Sequence, residues 1–127
     1  MADVLCVSSG TAAIKVALKA LGIGRGDEVI TQSFNFIATV EAIVDTGANV
    51  VFTDIDDTLN MCPKNLESLI SKKTKAIIPV HMLGVPADMI LINRIGKRNK
   101  IPVVEDACEA IGAKVASKYA VSYTHLT

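Results

Sequence analysis

The chain has no tryptophan, and its aromatic residues amount to three phenylalanines and two tyrosines in 127 residues. Charge of one sign is also missing. Thirteen basic and thirteen acidic side chains cancel, which argues against a nucleic-acid partner, since that needs a one-signed basic surface. No stretch of ~18 uninterrupted apolar residues is present, so no segment is expected to span a membrane. Met1-Ala2-Asp3-Val4 lacks the basic flank and apolar core of a signal peptide. Cys6, Cys62 and Cys108 are odd in number and widely scattered. They suit neither a disulfide framework nor a zinc site, and a cytoplasmic location is the expectation.

What is present is an alternation of short β-branched runs with amphipathic stretches. Strands are predicted at Val4–Val7, Glu28–Thr31, Val50–Thr53, Ala76–Val80 and Pro102–Val104. Helices are predicted at Thr11–Leu21, Phe36–Thr46, about Lys64–Ile70 (with Pro63 just inside its start) and within Pro86–Arg98. Crossovers of this length imply an α/β fold, a three-layer sandwich around a mostly parallel sheet. Ligands of open α/β sheets bind beyond the carboxyl ends of the strands. Ser8–Ala12, Asp106 and the loops starting at Gln32, Asp54 and His81 would all gather there. The residues from Ala120 to Thr127 continue no period and are expected to be a tail outside the fold.

Two segments carry the chemistry. In Ser8-Ser9-Gly10-Thr11-Ala12, Gly10 removes the Cβ that would keep an anion from the backbone. The N–H groups of Thr11 and Ala12 would face a phosphate at the positive end of a helix dipole. An ordinary serine N-cap accounts for the same residues. In Val103-Val104-Glu105-Asp106, a carboxylate ends a strand, where it could cap the next helix or hold a protonated ring nitrogen by charge pairing. Pyridoxal phosphate carries a phosphate at one end and a basic ring nitrogen at the other, and would join the two segments. Phe36 could lie on such a ring or pack in the core. His81 reads as a hydrogen-bonded structural histidine, Glu105 as a structural or solvated neighbour of Asp106, and Gly22–Gly26 as a connector.

A rival lies in Phe52-Thr53-Asp54-Ile55-Asp56-Asp57-Thr58. A strand followed by Asp-x-Asp-x-Thr resembles haloacid-dehalogenase-type phosphatases, in which Asp54 would attack phosphorus and Asp56 would act as acid and base. The later strands match that family's partners poorly, since Ala76–Val80 runs into His81 instead of Ser or Thr and Glu105-Asp106 only loosely meets the paired acidic residues, and an acidic turn after a strand explains the segment more simply.

The ordered series of segments resembles the DegT/DnrJ/EryC1/StrS family of sugar aminotransferases. It runs through Ser9-Gly10-Thr11-Ala12-Ala13, Gly26-Asp27-Glu28-Val29-Ile30, Phe34-Asn35-Phe36-Ile37-Ala38-Thr39, Thr74 to His81, Gly84-x-Pro86-Ala87-Asp88, and Glu105-Asp106-Ala107-Cys108-Glu109-Ala110. The likeness covers about Val4 to Tyr119. It implies the N-terminal part of the large domain of a fold-type I pyridoxal-phosphate enzyme, residues 1–119, with 120–127 as an unassigned and possibly foreign tail. It further implies a homodimer with active sites at the subunit interface. Amine transfer would run from an amino acid such as glutamate to a keto- or aldehydo-sugar, often nucleotide-linked, in cell-surface polysaccharide or related biosynthesis.

Carried over by position, Thr11 and Ala12 would bind the cofactor phosphate with Gly10 giving access, and Phe36 would stack on the ring. Asp106 would pair with the ring nitrogen, and Glu109 would stand near the phenolic oxygen, where many members have Gln or His. Gln32 replaces a frequent Pro and Asn35 a frequent Thr. The family's Schiff-base lysine would lie further along, since Lys114 and Lys118 are too close to Asp106. The segment alone is therefore expected to be inactive and to expose apolar edges. Relatives lacking that lysine, dehydratases or regulatory proteins, are the alternative.

Overall fold

The computed structural model describes residues 4–120. Strands β1 (Glu28–Gln32), β2 (Asn49–Thr53) and β3 (Thr74–Ile78) form a parallel sheet in the order β2-β1-β3. Val29 lies between Val50 and Ala76 in register. The crossover from β1 to β2 runs through α2 (Ile37–Val44), and the return past β1 to β3 runs through α3 (Pro63–Leu69). Reversing the direction of travel across a sheet while keeping right-handed crossovers puts the second helix on the opposite face. The core divides accordingly. Val29, Ala76 and Ile78 pack with Ile14 and Leu18 of α1 (Gly10–Ala20) and Ala42 and Ile43 of α2. Ile30 and Ile77 pack with Leu66 of α3 and Met89, Ile92 and Ile95 of α4 (Met89–Asn99). The alternation Val29/Ile30 sends neighbouring side chains to opposite faces, and the result is the expected three-layer sandwich.

The helix ends follow from local chemistry. Past Leu21, Gly22 takes φ +73°. Its N–H bonds Lys19 O, and that of Ile23 bonds Leu18 O, the Schellman closure that a glycine permits. Asp88 caps α4 by accepting from Leu91 N–H at 3.0 Å. Gly96, inside α4, is a close-approach residue: a Cβ there would lie 2.8 Å from Val103 Cγ2 and 2.9 Å from Ile101 O.

Two predicted strands come out differently. Pro102–Val104 runs beside β3 but forms only the isolated parallel bridges Ile77–Val103 and Val80–Asp106. The bonds Ile77 N to Pro102 O, Val104 N to Ile77 O, Asp106 N to Pro79 O and His81 N to Asp106 O are all present. The one missing rung would need an N–H from Pro79, which has none. The same proline ends β3 at Ile78 instead of Val80. Val4–Val7 is no strand: it pairs with nothing among the described residues, and Val4 and Leu5 are 86% and 77% exposed. Its apolar pattern has no neighbouring strand edge to join. A feature not anticipated is the hairpin of β4 (Lys114–Val115) and β5 (Lys118–Tyr119). It turns on Ala116 and Ser117, both at positive φ, the geometry of a two-residue type I′ turn. The predicted tail lies outside the described residues apart from Ala120.

Candidate functional site

Both α1 and α2 start at the carboxyl edge of the sheet: α2 follows β1 directly, and the far end of α1, at Leu21, lines a cleft at the opposite edge. At the start of α1, Ser9 is the N-cap, and its Oγ accepts from Ala12 N–H at 3.1 Å. This corrects the expectation for Ala12, whose N–H serves the cap instead of pointing outward. The N–H groups of Gly10 and Thr11 make no hydrogen bond among the described residues. A Cβ built on Gly10 would meet nothing within 4 Å, so the bare backbone there leaves room for an approaching group and is not required by packing.

Asp106 is fixed on every side. Its backbone bridges Pro79 and His81. Oδ2 accepts from the Thr39 hydroxyl at 2.7 Å, and Oδ1 from Cys108 N–H at 3.3 Å. The Cys108 thiol lies beside this carboxylate and is pushed up from 9.0 to about 11. Desolvation is the largest cause, followed by the hydrogen bond to and charge of Asp106 and then the charge of Glu109. Thr39 belongs to the first turn of α2, and its N–H bonds Phe36 O at 3.2 Å. Phe36, the N-cap residue of α2, is 67% exposed. The Thr39–Asp106 bond thus brings two of the predicted site residues, Phe36 and Asp106, to one place.

Glu109 is engaged within the chain: its Oε2 accepts from Leu83 N–H at 2.9 Å. That bond holds a short turn, Met82–Gly84, in which Leu83 sits at φ +54° and Gly84 at φ +83°. His81 is fully buried, as is the side chain of Glu105, and Nε2 lies 2.9 Å from Glu105 Oε2. Because Nδ1 accepts from Ala87 N–H at 3.0 Å, the ring proton is placed on Nε2, facing the carboxylate. The structural reading of His81 holds, and Glu105 is its structural partner.

Beneath these loops lie two buried amides that the sequence did not mark as structural. Gln32 Oε1 accepts from Val80 N–H at 3.0 Å, while Nε2 donates to Phe34 O and Leu59 O. Asn60 accepts from Met82 N–H at 2.9 Å and donates to Val85 O at 3.0 Å. The detectable signal was a polar side chain at the end of an apolar strand, for Gln32, and on the inner face of an apolar helix, for Thr39. The acidic segment forms a closed turn: Asp56 Oδ1 accepts from both the N–H and the hydroxyl of Thr58, and Asn65 receives Asp54 N–H. That is the turn chemistry of an Asx motif.

A phosphate-accessible helix start, an exposed ring and a fixed carboxylate at one edge of a parallel sheet fit the large domain of a pyridoxal-phosphate aminotransferase, and the solved relatives share that fold. DesV of S. venezuelae, solved in complex with a ketimine intermediate, matches with 39% identity and a TM-score of 0.88, over 90% of this chain and 31% of its own. A 3-amino-5-hydroxybenzoic acid synthase matches with 38% identity and a TM-score of 0.89, over 91% of this chain and 30% of its own. NtdA of Bacillus subtilis, with bound cofactor PMP, matches with 43% identity and a TM-score of 0.83, over 89% of this chain and 26% of its own. The chain therefore spans about a third or less of the length of these relatives. The DegT/DnrJ/EryC1/StrS aminotransferase family model matches residues 1–127. The chain belongs to that family, whose members depend on pyridoxal phosphate, and this membership takes the place of the phosphatase reading of Asp54 and Asp56.

Proposed function

We propose that the chain forms the N-terminal part of the cofactor-binding large domain of a sugar aminotransferase, with residues 1–119 inside the domain and 120–127 outside it. The observation that carries the reading is the fixed Asp106 carboxylate, joined through Thr39 to the turn that bears the exposed Phe36. In this assignment the Gly10 and Thr11 N–H groups grip the phosphate, joined by the Thr11 hydroxyl. Ala12 contributes only if its N–H leaves the Ser9 cap. Phe36 covers one face of the pyridine ring. Asp106 faces the ring nitrogen and favours its protonated form. Pyridoxal phosphate, when bound, supplies the electron sink that the protonated ring provides.

Glu109, three residues past Asp106, is bonded to Leu83 N–H, and its role in this assignment is to hold the Met82–Gly84 turn. The lysine that binds the cofactor and moves the proton belongs to a later part of the complete enzyme. Glutamate is the proposed amino donor, and a keto- or aldehydo-sugar, often nucleotide-linked, the acceptor. The enzyme works as a cytoplasmic homodimer. No helix among the described residues is long and apolar enough to cross a membrane.

The complete enzyme carrying this segment, loaded with pyridoxal phosphate and mixed with glutamate, should release 2-oxoglutarate in a single turnover. The Asp106→Ala variant should bind the cofactor more weakly and lose that turnover by a factor of at least ~100. Unchanged cofactor affinity and absorbance in Asp106→Ala would sink the assignment of Asp106. Failure of the unaltered enzyme to release 2-oxoglutarate, together with histidine at the lysine position, would move it to the dehydratase class.

A further inference from the structure

We propose that Thr39 is a positioning residue for the cofactor ring: its hydroxyl sets the orientation of the Asp106 carboxylate and docks the Phe36-bearing first turn of α2 against it. The inference rests on the reading that Asp106 and Phe36 hold that ring. A carboxylate at a strand end has freedom about two side-chain torsions. The backbone bonds of Asp106 to Pro79 and His81 fix its Cα but not those torsions. Cys108 N–H restrains one oxygen at the long distance of 3.3 Å. The short bond is the one from Thr39, at 2.7 Å to Oδ2, and hydrogen bonds to charged acceptors are the strong ones.

Thr39 is suited to hold that aim. It is 1% exposed, so water does not compete for its hydroxyl. It is β-branched, which leaves few side-chain rotamers in a helix. Its own N–H bonds Phe36 O, so the ring-bearing residue and the hydroxyl belong to one rigid turn. A change in the Thr39–Asp106 distance therefore moves the face contact and the edge contact of the pyridine relative to each other. Neither Phe36, with its ring exposed, nor Asp106, on a different element, can fix that separation alone.

The test is made on the complete enzyme, stripped of cofactor and titrated with pyridoxal phosphate while absorbance is followed. Thr39→Val removes the hydroxyl and keeps the branched shape, and should weaken cofactor binding by about tenfold. Thr39→Ser restores a hydroxyl and should return affinity to within about threefold of the unaltered protein. The apoprotein should stay folded in both, its melting temperature lowered by only a few degrees in Thr39→Val, and the affinities are compared where both apoproteins are fully folded, which separates aiming from folding. The pH midpoint of the bound cofactor's visible band should move in Thr39→Val and return in Thr39→Ser.

Unaltered affinity in Thr39→Val, or equal weakening by Val and Ser, overturns the proposal. Where the valine variant gives no folded apoprotein, Thr39→Ala is titrated in its place with the same two outcomes. Asp106→Asn is run in parallel. If it leaves affinity intact, the cofactor reading itself falls; if it weakens binding while Thr39→Val does not, only the role of Thr39 falls.

Discussion

The two edges of the sheet are built on different principles. At the carboxyl edge lie Thr31, Gln32, Thr39, Thr53, Asn60 and His81, all buried polar residues, and each has a hydrogen-bond partner. At the amino edge the one buried polar side chain among the described residues is Thr74, which accepts from Ser71 N–H. There the ends of α1, α3 and α4 surround a cleft of about 710 Å³ with Lys72, Lys75 and Lys100 on its rim. Lysines beside the last turns of helices complement the negative ends of their dipoles while staying hydrated. One edge fixes its loops with desolvated, directional bonds that have no substitute if one partner is lost. The other relies on solvated charge, which tolerates change. The difference separates a surface that must hold a geometry from one that only has to close the layers.

Removing the deepest member of the polar edge should have the largest effect. His81→Leu leaves the buried Glu105 carboxylate without its imidazole, and a loss of about 3–5 kcal/mol is expected. It would be measured by urea unfolding of the complete protein, and a change below ~1 kcal/mol would show that the pair does not hold the loops. A pH experiment reads the same edge at Cys108. Desolvation and the Asp106 and Glu109 carboxylates push its thiol up to about 11, so little thiolate is expected at neutral pH and more as pH rises toward that value. In a protein with Cys6 and Cys62 replaced by serine, the alkylation rate should rise with a midpoint near 11, and Asp106→Asn should move that midpoint down. A midpoint near 9 in the unaltered site would deny the contact with Asp106. The smallest pair of effects contrasts the edges directly. Gln32→Leu, which strands the buried Val80 N–H, should cost about 1–3 kcal/mol. Lys72→Ala with Lys75→Ala should stay within about 0.5 kcal/mol. Equal costs would erase the distinction.

The alternation of elements was legible because hydrophobic period and glycine stops act locally. Strands β1 and β2, all four helices and the Gly22 closure follow from residues within a few positions of each other. Asp106 and Phe36 were legible as residue types at strand ends. Their joining through Thr39 was not, because the two partners are 67 positions apart and a threonine in a helix carries no label of its own. Gln32 was visible as a polar residue ending an apolar strand and as a departure from a frequent proline; its three bonds span three loops and depend on tertiary placement. At Ala12 the outward N–H and the Ser9 cap were both open readings of the same residues, and the structure has the N–H in the cap. Val4–Val7 reads as a strand by composition, but a strand needs an edge to pair with, and pairing is a property of distant chain.

Pro79 interrupts the contact between β3 and the segment ending in Asp106 at a single rung, and two separately opening units are the expected consequence. The inner rungs, at Ile77 and Val104, belong with the hydrophobic layers and should open only with global unfolding. The outer rungs, at His81 and Asp106, lie past the gap and can open by themselves. Amide exchange sorts residues by such units. A single proline two residues before His81 therefore predicts lower exchange protection at the His81 and Asp106 N–H groups than at those of Ile77 and Val104, with the hydrophobic layers beneath them closed throughout.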